Sequence, residues 1–335
     1  MKLSSTNGGT DEKRLTQTRY VAYRLQVREN EYSTLLRGHR LLQRFMVDMF
    51  ASIDQSRLYW LRLNQPNIRA CLYSGLEDAA DEGDDEIDLH TLGQRFILPS
   101  SYIGGPRHMQ QRFQDSMAIA RFFGRVDIFM TMTTNPHWPE ITRELLERQT
   151  AYDRPDLVAR VFQMKKRAAI DYIYKHGIFG PAVAYVYSIE FQKRGLPHMH
   201  MLIFLKEPWS LNTTHAIDSC IWARWPDPET QPLLFETVKR CMIHGTANPN
   251  SPCMENGKCT RGYPKPFAEF TTMDEHGFPI YFRPNDGRSY SIGGFYVDNR
   301  WIVPFCPFLS AMFDCHINVE CAASLGSFKY LFKYI

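Results

Sequence analysis

The chain has 335 residues, 44% of them hydrophobic and 13% aromatic, with a formal net charge of +3. This composition excludes a disordered chain and suits two domains, or one domain with large additions. No apolar run approaches the roughly 20 residues that span a bilayer, and the polar start MKLSSTNGGTDEKRLTQTR lacks the apolar centre of a secretory signal, so an intracellular setting is expected. Residues 1–19, rich in Ser, Thr, Gly and charge, read as a disordered tail. From Tyr20 the text turns amphipathic. Apolar residues at Leu41, Leu42, Phe45, Met46, Met49 and Phe50 predict a long helix running to Asn64, and Asn67 to Leu76 a further short helical piece. Residues 77–88, EDAADEGDDEID, carry eight acidic side chains and no basic one; setting them aside leaves the rest of the chain at +11. A basic body with an acidic loop is compatible with a nucleic-acid partner, and also with a globular protein bearing one solvated charged loop.

Phe96 to Tyr102 reads as a linker or short strand, and Met109 to Phe123 as a helix. VDIFMTMTT (126–134) predicts a buried strand ended by Asn135 and Pro136. Trp138 and Pro139 open a helical stretch that continues through ITRELLERQ. Pro155 sits in the first turn of another helix, which Gly177 stops. Pro181 to Phe191 and Met199 to Leu205 read as strands joined by QKRGLP, whose Gly195 and Pro197 signal a hairpin turn. Beyond it come one helical piece near Thr213 to Trp225 and short strands over 277–304, with Asn285-Asp286-Gly287 as their hairpin signal. Ile317 to Ile335 reads as helical after an initial loop. The expected organisation is a tail (1–19), a mainly helical region (20–125) with the acidic loop, and a domain over 126–335 carrying an insertion at 236–267.

Three constellations carry chemistry. His198 and His200 lie two apart on a strand, so both imidazoles share a face. Glu190 and Gln192 share a face of the preceding strand, and hairpin pairing brings them beside the histidines, an N,N,O set suited to a divalent cation. An isolated His-x-His is equally consistent with a turn cap and a buried ring. Tyr330 and Tyr334 are one helical turn apart, with Lys329 and Lys333 repeating the spacing. Phenols flanked by ammonium groups suit attack on a phosphate; the same pattern also suits an aromatic stripe with snorkelling lysines. Cys241, His244, Cys253 and Cys259 form C-x2-H-x8-C-x5-C, three thiolates and an imidazole fit for structural Zn²⁺, or else reduced cysteines in a loop. Cys306, Cys315 and Cys321 read as core, with Cys315 and His316 as an alternative second metal site.

Taken in order, FMTMTTNPHWPEI (129–141), DRPDLVARVFQMK (153–165), YSIEFQKRGLPHMHMLIFL (187–205), CMIHG (241–245), CTRGYPKPF (259–267) and KYLFKYI (329–335) resemble the HUH endonucleases that nick single-stranded DNA. The specific resemblance is to the Rep-like nuclease domain of Helitron rolling-circle transposases, over residues 35 to 335. It implies an α+β fold in which an antiparallel sheet of about five strands carries the metal on one face, with flanking helices and the tyrosine helix laid across it. It implies Mg²⁺ or Mn²⁺ on His198 and His200, with Glu190 or Gln192 as third ligand. Tyr330 and Tyr334 become the two candidate nucleophiles, one of which attacks to give a 5′-phosphotyrosine and a free 3′-OH; apart from the resemblance, Tyr330 is expected to lie nearer the metal. Thr131, Thr133 and Asn135, with Lys193 and Arg194 in the hairpin turn, are expected to support the site or touch DNA. The implied partner is single-stranded DNA at transposon ends, in the nucleus. Helitron proteins normally continue into a helicase; this chain has no GxxxxGK[ST] loop and ends one residue after Tyr334, so a nuclease-domain fragment or truncated copy is expected. A rival reading, a domesticated DNA-binding module without cleavage, predicts damaged catalytic residues, yet His198, His200, Tyr330 and Tyr334 are all present. An RNA-binding sheet would not need the paired histidines.

Overall fold

The computed structural model describes residues 15–65, 68, 96–192, 195–207, 211, 213–245, 253–275 and 277–322. The acidic loop 77–88, Lys193, Arg194 and the whole 329–335 motif, with Lys329, Tyr330, Lys333 and Tyr334, lie outside the described residues. The chain divides into two compact units, Met1–Asp115 with Leu146–Gln149, and Ser116–Leu145 with Thr150–Ile335. Among the described residues no helix is long and apolar enough to cross a membrane.

In the first unit the expected long helix is present, and a shorter one precedes it. α1 (Gln17–Arg24), capped by the Thr16 hydroxyl, begins inside the stretch read as a tail, and α2 spans Arg40–Leu63. Between them Asn30 and His39 adopt positive φ, which α-helix forbids, so the amphipathic pattern cannot run through. Leu42 and Leu61 are the buried residues of α2. Phe96 to Tyr102 forms no strand; the Tyr102 hydroxyl donates to Asp54 and Gln65 bonds both backbone groups of Ile97.

The second unit is built on a four-stranded antiparallel sheet, with β1 (Ile128–Thr133), β2 (Ala182–Phe191) and β3 (Pro197–Leu205) completed by a strand at Ile317–Cys321. That last strand lies beside β1, and the order across the sheet is last strand, β1, β3, β2. Alternation assigns the faces. Met130, Met132, Met199, Met201, Ile203, Ile317 and Val319 point to one side and join Val158, Val161, Phe162, Ala169 and Ile173 of the long helix Pro155–Tyr174 in the main core. Every residue of β3 is buried, as a central strand covered on both faces requires. On the opposite face Leu202, Phe204 and Phe129 pack with Ala120 and Phe123 from the end of helix Pro106–Phe123. The same face turns polar toward Thr133 and His198.

Several local expectations are corrected. Ile317–Cys321 is a strand, not helix or loop, because Cys315, Ile317 and Val319 alternate with the more polar His316, Asn318 and Glu320. The helix at Trp138 covers only Pro139–Thr142, whereas Pro232–Cys241 and Pro307–Phe313 are helices with Pro in their first turn. The distal hairpin, Tyr290–Ile292 with Phe295–Val297, turns at Gly293-Gly294 rather than at Asn285-Asp286-Gly287. Both glycines have positive φ, the backbone that a two-residue hairpin demands.

Candidate functional site

The polar end of the sheet face is assembled by register. Thr133 pairs with His198, and His198 with Glu190; one step along, Asn318 pairs with Thr131, Thr131 with His200, and His200 with Ser188. Because side chains alternate along a strand, all seven lie on one face. The His198 and His200 rings are 4.6 Å apart between centroids.

Each imidazole is held from the neighbouring strand. Thr133 Oγ1 lies 2.7 Å from His198 Nδ1, and Thr131 Oγ1 lies 3.0 Å from His200 Nδ1. In the tautomer with the proton on Nδ1 both hydroxyls accept, and both Nε2 lone pairs are presented for a cation. Glu190 Oε2 sits 3.5 Å from His200 Nε2 and is buried without a hydrogen-bond partner. Gln192 Nε2 instead approaches His198 at Nδ1, 3.4 Å away, the nitrogen already engaged by Thr133. Burial pushes His198 down to about 4, helped by His200 and His316. Burial also lowers His200, against the opposing pull of Glu190. Neutral imidazoles beside a buried carboxylate oxygen that makes no hydrogen bond, its near neighbour being His200 Nε2, fit a divalent cation, since such an oxygen is costly to bury alone.

Asn135 has another task. Its amide donates to Asp314 O at 2.7 Å and accepts from His137 N, while Trp138 Nε1 donates to Phe313 O at 2.6 Å. The TNPHW segment thus fastens the end of β1 to the residues leading into the last strand. Cys315 and His316 do not form a second site. Cys315 is buried in the main core, and alternation turns His316 to the polar face, beside His198.

The Cys/His constellation is brought together in part. Among the described residues, His244, Cys253 and Cys259 are the group of His, Cys, Asp or Glu whose donor atoms all fall within 4.8 Å of one another. His198, His200 and Glu190 are set more loosely than that. Cys241 lies outside the group, its thiol against Arg240 and near Asp314. Met254–Glu255 and Lys258–Cys259 pair as a two-residue hairpin turning at Asn256-Gly257, both at positive φ, so Cys253 and Cys259 sit on its two arms. This Asn-Gly pair is a hairpin signal already legible in the sequence. Arg261 N donates to Cys259 Sγ at 3.3 Å, and His244 Nε2 lies 3.2 Å from the same sulfur. Burial works against ionising Cys259, but the backbone N–H groups of Tyr263 and Arg261, with Cys253 and Lys265, hold its thiol below the ordinary value. A thiol so biased toward thiolate fits a Zn²⁺ ligand.

The paired histidines and His244 of the Cys/His cluster line one cavity of about 600 Å³. His316, Arg261, Tyr263, Lys265 and Phe129 line it too. Sequence reasoning missed Arg261, Tyr263 and Lys265 as site residues, because a distant loop brings them there; it named His316, but for a site with Cys315 rather than beside His198.

No curated protein matches the chain. Residues 20–203 match the family model of the Helitron helicase-like domain at the N-terminus, a span that takes in β1, β2 and both histidines of the site. On that match, which covers more than half its length, the chain belongs to the Helitron helicase-like N-terminal domain family.

Proposed function

We propose that this protein is a metal-dependent single-stranded DNA nicking and joining enzyme of HUH type, serving Helitron rolling-circle transposition. The observation that carries the reading is the pair of threonine-held histidines facing a buried Glu190 oxygen that makes no hydrogen bond. His198, His200 and Glu190 would hold Mg²⁺ or Mn²⁺, whose chemistry when bound is to polarise the scissile phosphate. Thr131 and Thr133 orient the rings. Tyr330 or Tyr334 supplies the nucleophile. Its phenol gives up its proton to solvent as the oxygen bonds to phosphorus, the bond from phosphorus to the 3′ oxygen breaks, and that oxygen takes up a proton from solvent to leave as a 3′-OH. Lys329 and Lys333 stabilise the phenolate and the developing phosphate charge. His244, Cys253 and Cys259 bind Zn²⁺ and hold the inserted loop. The partners in this reading are single-stranded transposon ends and a helicase region of the full transposase.

The test is incubation with end-labelled single-stranded DNA and Mn²⁺, followed by denaturing electrophoresis. A detergent-resistant adduct is expected. It should vanish in H198A/H200A and in Y330F/Y334F, while H198A/H200A still binds the oligonucleotide. An adduct that survives Y330F/Y334F removes the tyrosines as nucleophile. Absence of any adduct with the unmodified protein favours a DNA-binding module that has lost cleavage.

A further inference from the structure

The loop Cys259–Phe267, CTRGYPKPF, turns from the Cys/His cluster into the wall of the histidine cavity, bringing Arg261 and Lys265 to the lining that His198 and His200 share. Gly262, at φ +68, makes the turn between them. Lys265 is half-buried, yet its ammonium group donates to a neutral acceptor, Arg261 O at 2.9 Å, and lies over the Tyr263 ring at 5.1 Å. Among the described residues neither Arg261 nor Lys265 makes an ion pair with a carboxylate. The acidic side chain in the lining is Glu320, which accepts a hydrogen bond from Asn318 Nδ2 at 3.1 Å. Glu320 and Cys259 act on Lys265 through their charge but make no ion pair with it, so the ammonium group, whose direct contacts are a carbonyl and a ring, keeps donors for an anion from outside. Tyr263, Phe129 and Phe278 border the same cavity, and basic groups interleaved with aromatic ones are how proteins grip a single strand.

The geometry points to a phosphate subsite: Arg261 and Lys265 hold a backbone phosphate of single-stranded DNA next to the one at His198 and His200. Tyr263 holds the subsite to the cluster by stacking on His244, with ring centroids 4.0 Å apart. The inserted loop is therefore part of the substrate path as well as a staple. The inference rests on the nuclease reading for its ligand, and its test uses binding rather than cleavage so that the two fail separately.

The probe is labelled oligothymidylate, without added Mn²⁺, titrated over a series of KCl concentrations. R261Q/K265Q should bind about tenfold more weakly at low salt, and its salt slope should shrink by about 1.4, or about 0.7 for each lost contact to a single strand. R261Q alone, at an exposed side chain, should lose about half of that slope, which keeps the test valid if the double variant does not fold; R261K should restore it. R148Q, a neutralised and exposed arginine of the first unit, should leave the slope unchanged. Wild-type affinity and slope in both R261Q and R261Q/K265Q overturn the subsite while leaving the nuclease reading to the adduct assay. An equal loss in R148Q also overturns it, as diffuse charge. Failure of the unmodified protein to bind oligothymidylate at any salt overturns both.

Discussion

Thr133 and His198 face each other across β1 and β3, with the threonine hydroxyl 2.7 Å from Nδ1. A strand-borne hydroxyl at that distance fixes both the ring's rotation and the nitrogen it offers to the cavity. Thr133→Val keeps the β-branched shape that the strand favours and removes only the hydroxyl. Mn²⁺ affinity by titration calorimetry should fall roughly 10- to 100-fold, with stability lowered by no more than about 1.5 kcal/mol. Thr133→Ser should recover most of the affinity. Unchanged Mn²⁺ binding in Thr133→Val would show that the hydroxyl does not position the ring.

Glu190 and Gln192 divide by which edge of the imidazoles they meet. Glu190 faces His200 Nε2, and Gln192 faces His198 Nδ1. Glu190→Gln should weaken Mn²⁺ binding at least tenfold, by loss of the anionic oxygen, and Gln192→Ala by less than about threefold. The reverse ranking would make Gln192 the third ligand.

Zinc content separates the three gathered ligands from Cys241. Purified protein should carry about one zinc per chain. Cys259→Ser should abolish it, and Cys241→Ser should leave it in place, since Cys241 lies outside the group within 4.8 Å. Elemental analysis decides, and loss of zinc in Cys241→Ser would return that thiol to the site.

Acid should weaken the metal-free fold. Burial holds both His198 and His316 down to about 4, against an ordinary 6.5. Between those values the unfolded chain binds protons that the folded one refuses. Stability is therefore greatest above about pH 6.5 and falls as the pH drops toward 4. Thermal unfolding of metal-free protein should show the midpoint falling through this window, and less steeply in His316→Asn. An identical fall in His316→Asn would remove His316 as a contributor.

The hairpin and its histidines were legible because period-two patterning, a Gly-containing turn and a continuous apolar strand all pointed the same way. The last strand carried an equally regular alternation, Cys315 to Glu320, but its partner is β1, far away in the chain, and a short stretch without nearby turn signals gave no cue to pairing. The role of Asn135 was half legible. Its place at the end of a strand was readable, whereas its grip on Asp314 is a long-range contact that no local pattern encodes. Cys241 shows the converse. Spacing nominated it as a ligand, but the C-terminal end of helix Pro232–Cys241 carries it toward Arg240 and Asp314.

The placement of the last strand beside β1 has a consequence for biogenesis. Asn135 and Asp314 are 179 residues apart in sequence, yet they join the end of β1 to the segment that leads into the last strand. A chain emerging from the ribosome can form the β2–β3 hairpin early, with His198 and His200 already in register. The wall that holds His316 and Asn318 closes only after the final strand arrives, and such distant pairing is slow. During that interval β1 offers an unpaired edge next to the histidines, so the nascent protein is most open to mispairing at the site on which its chemistry depends.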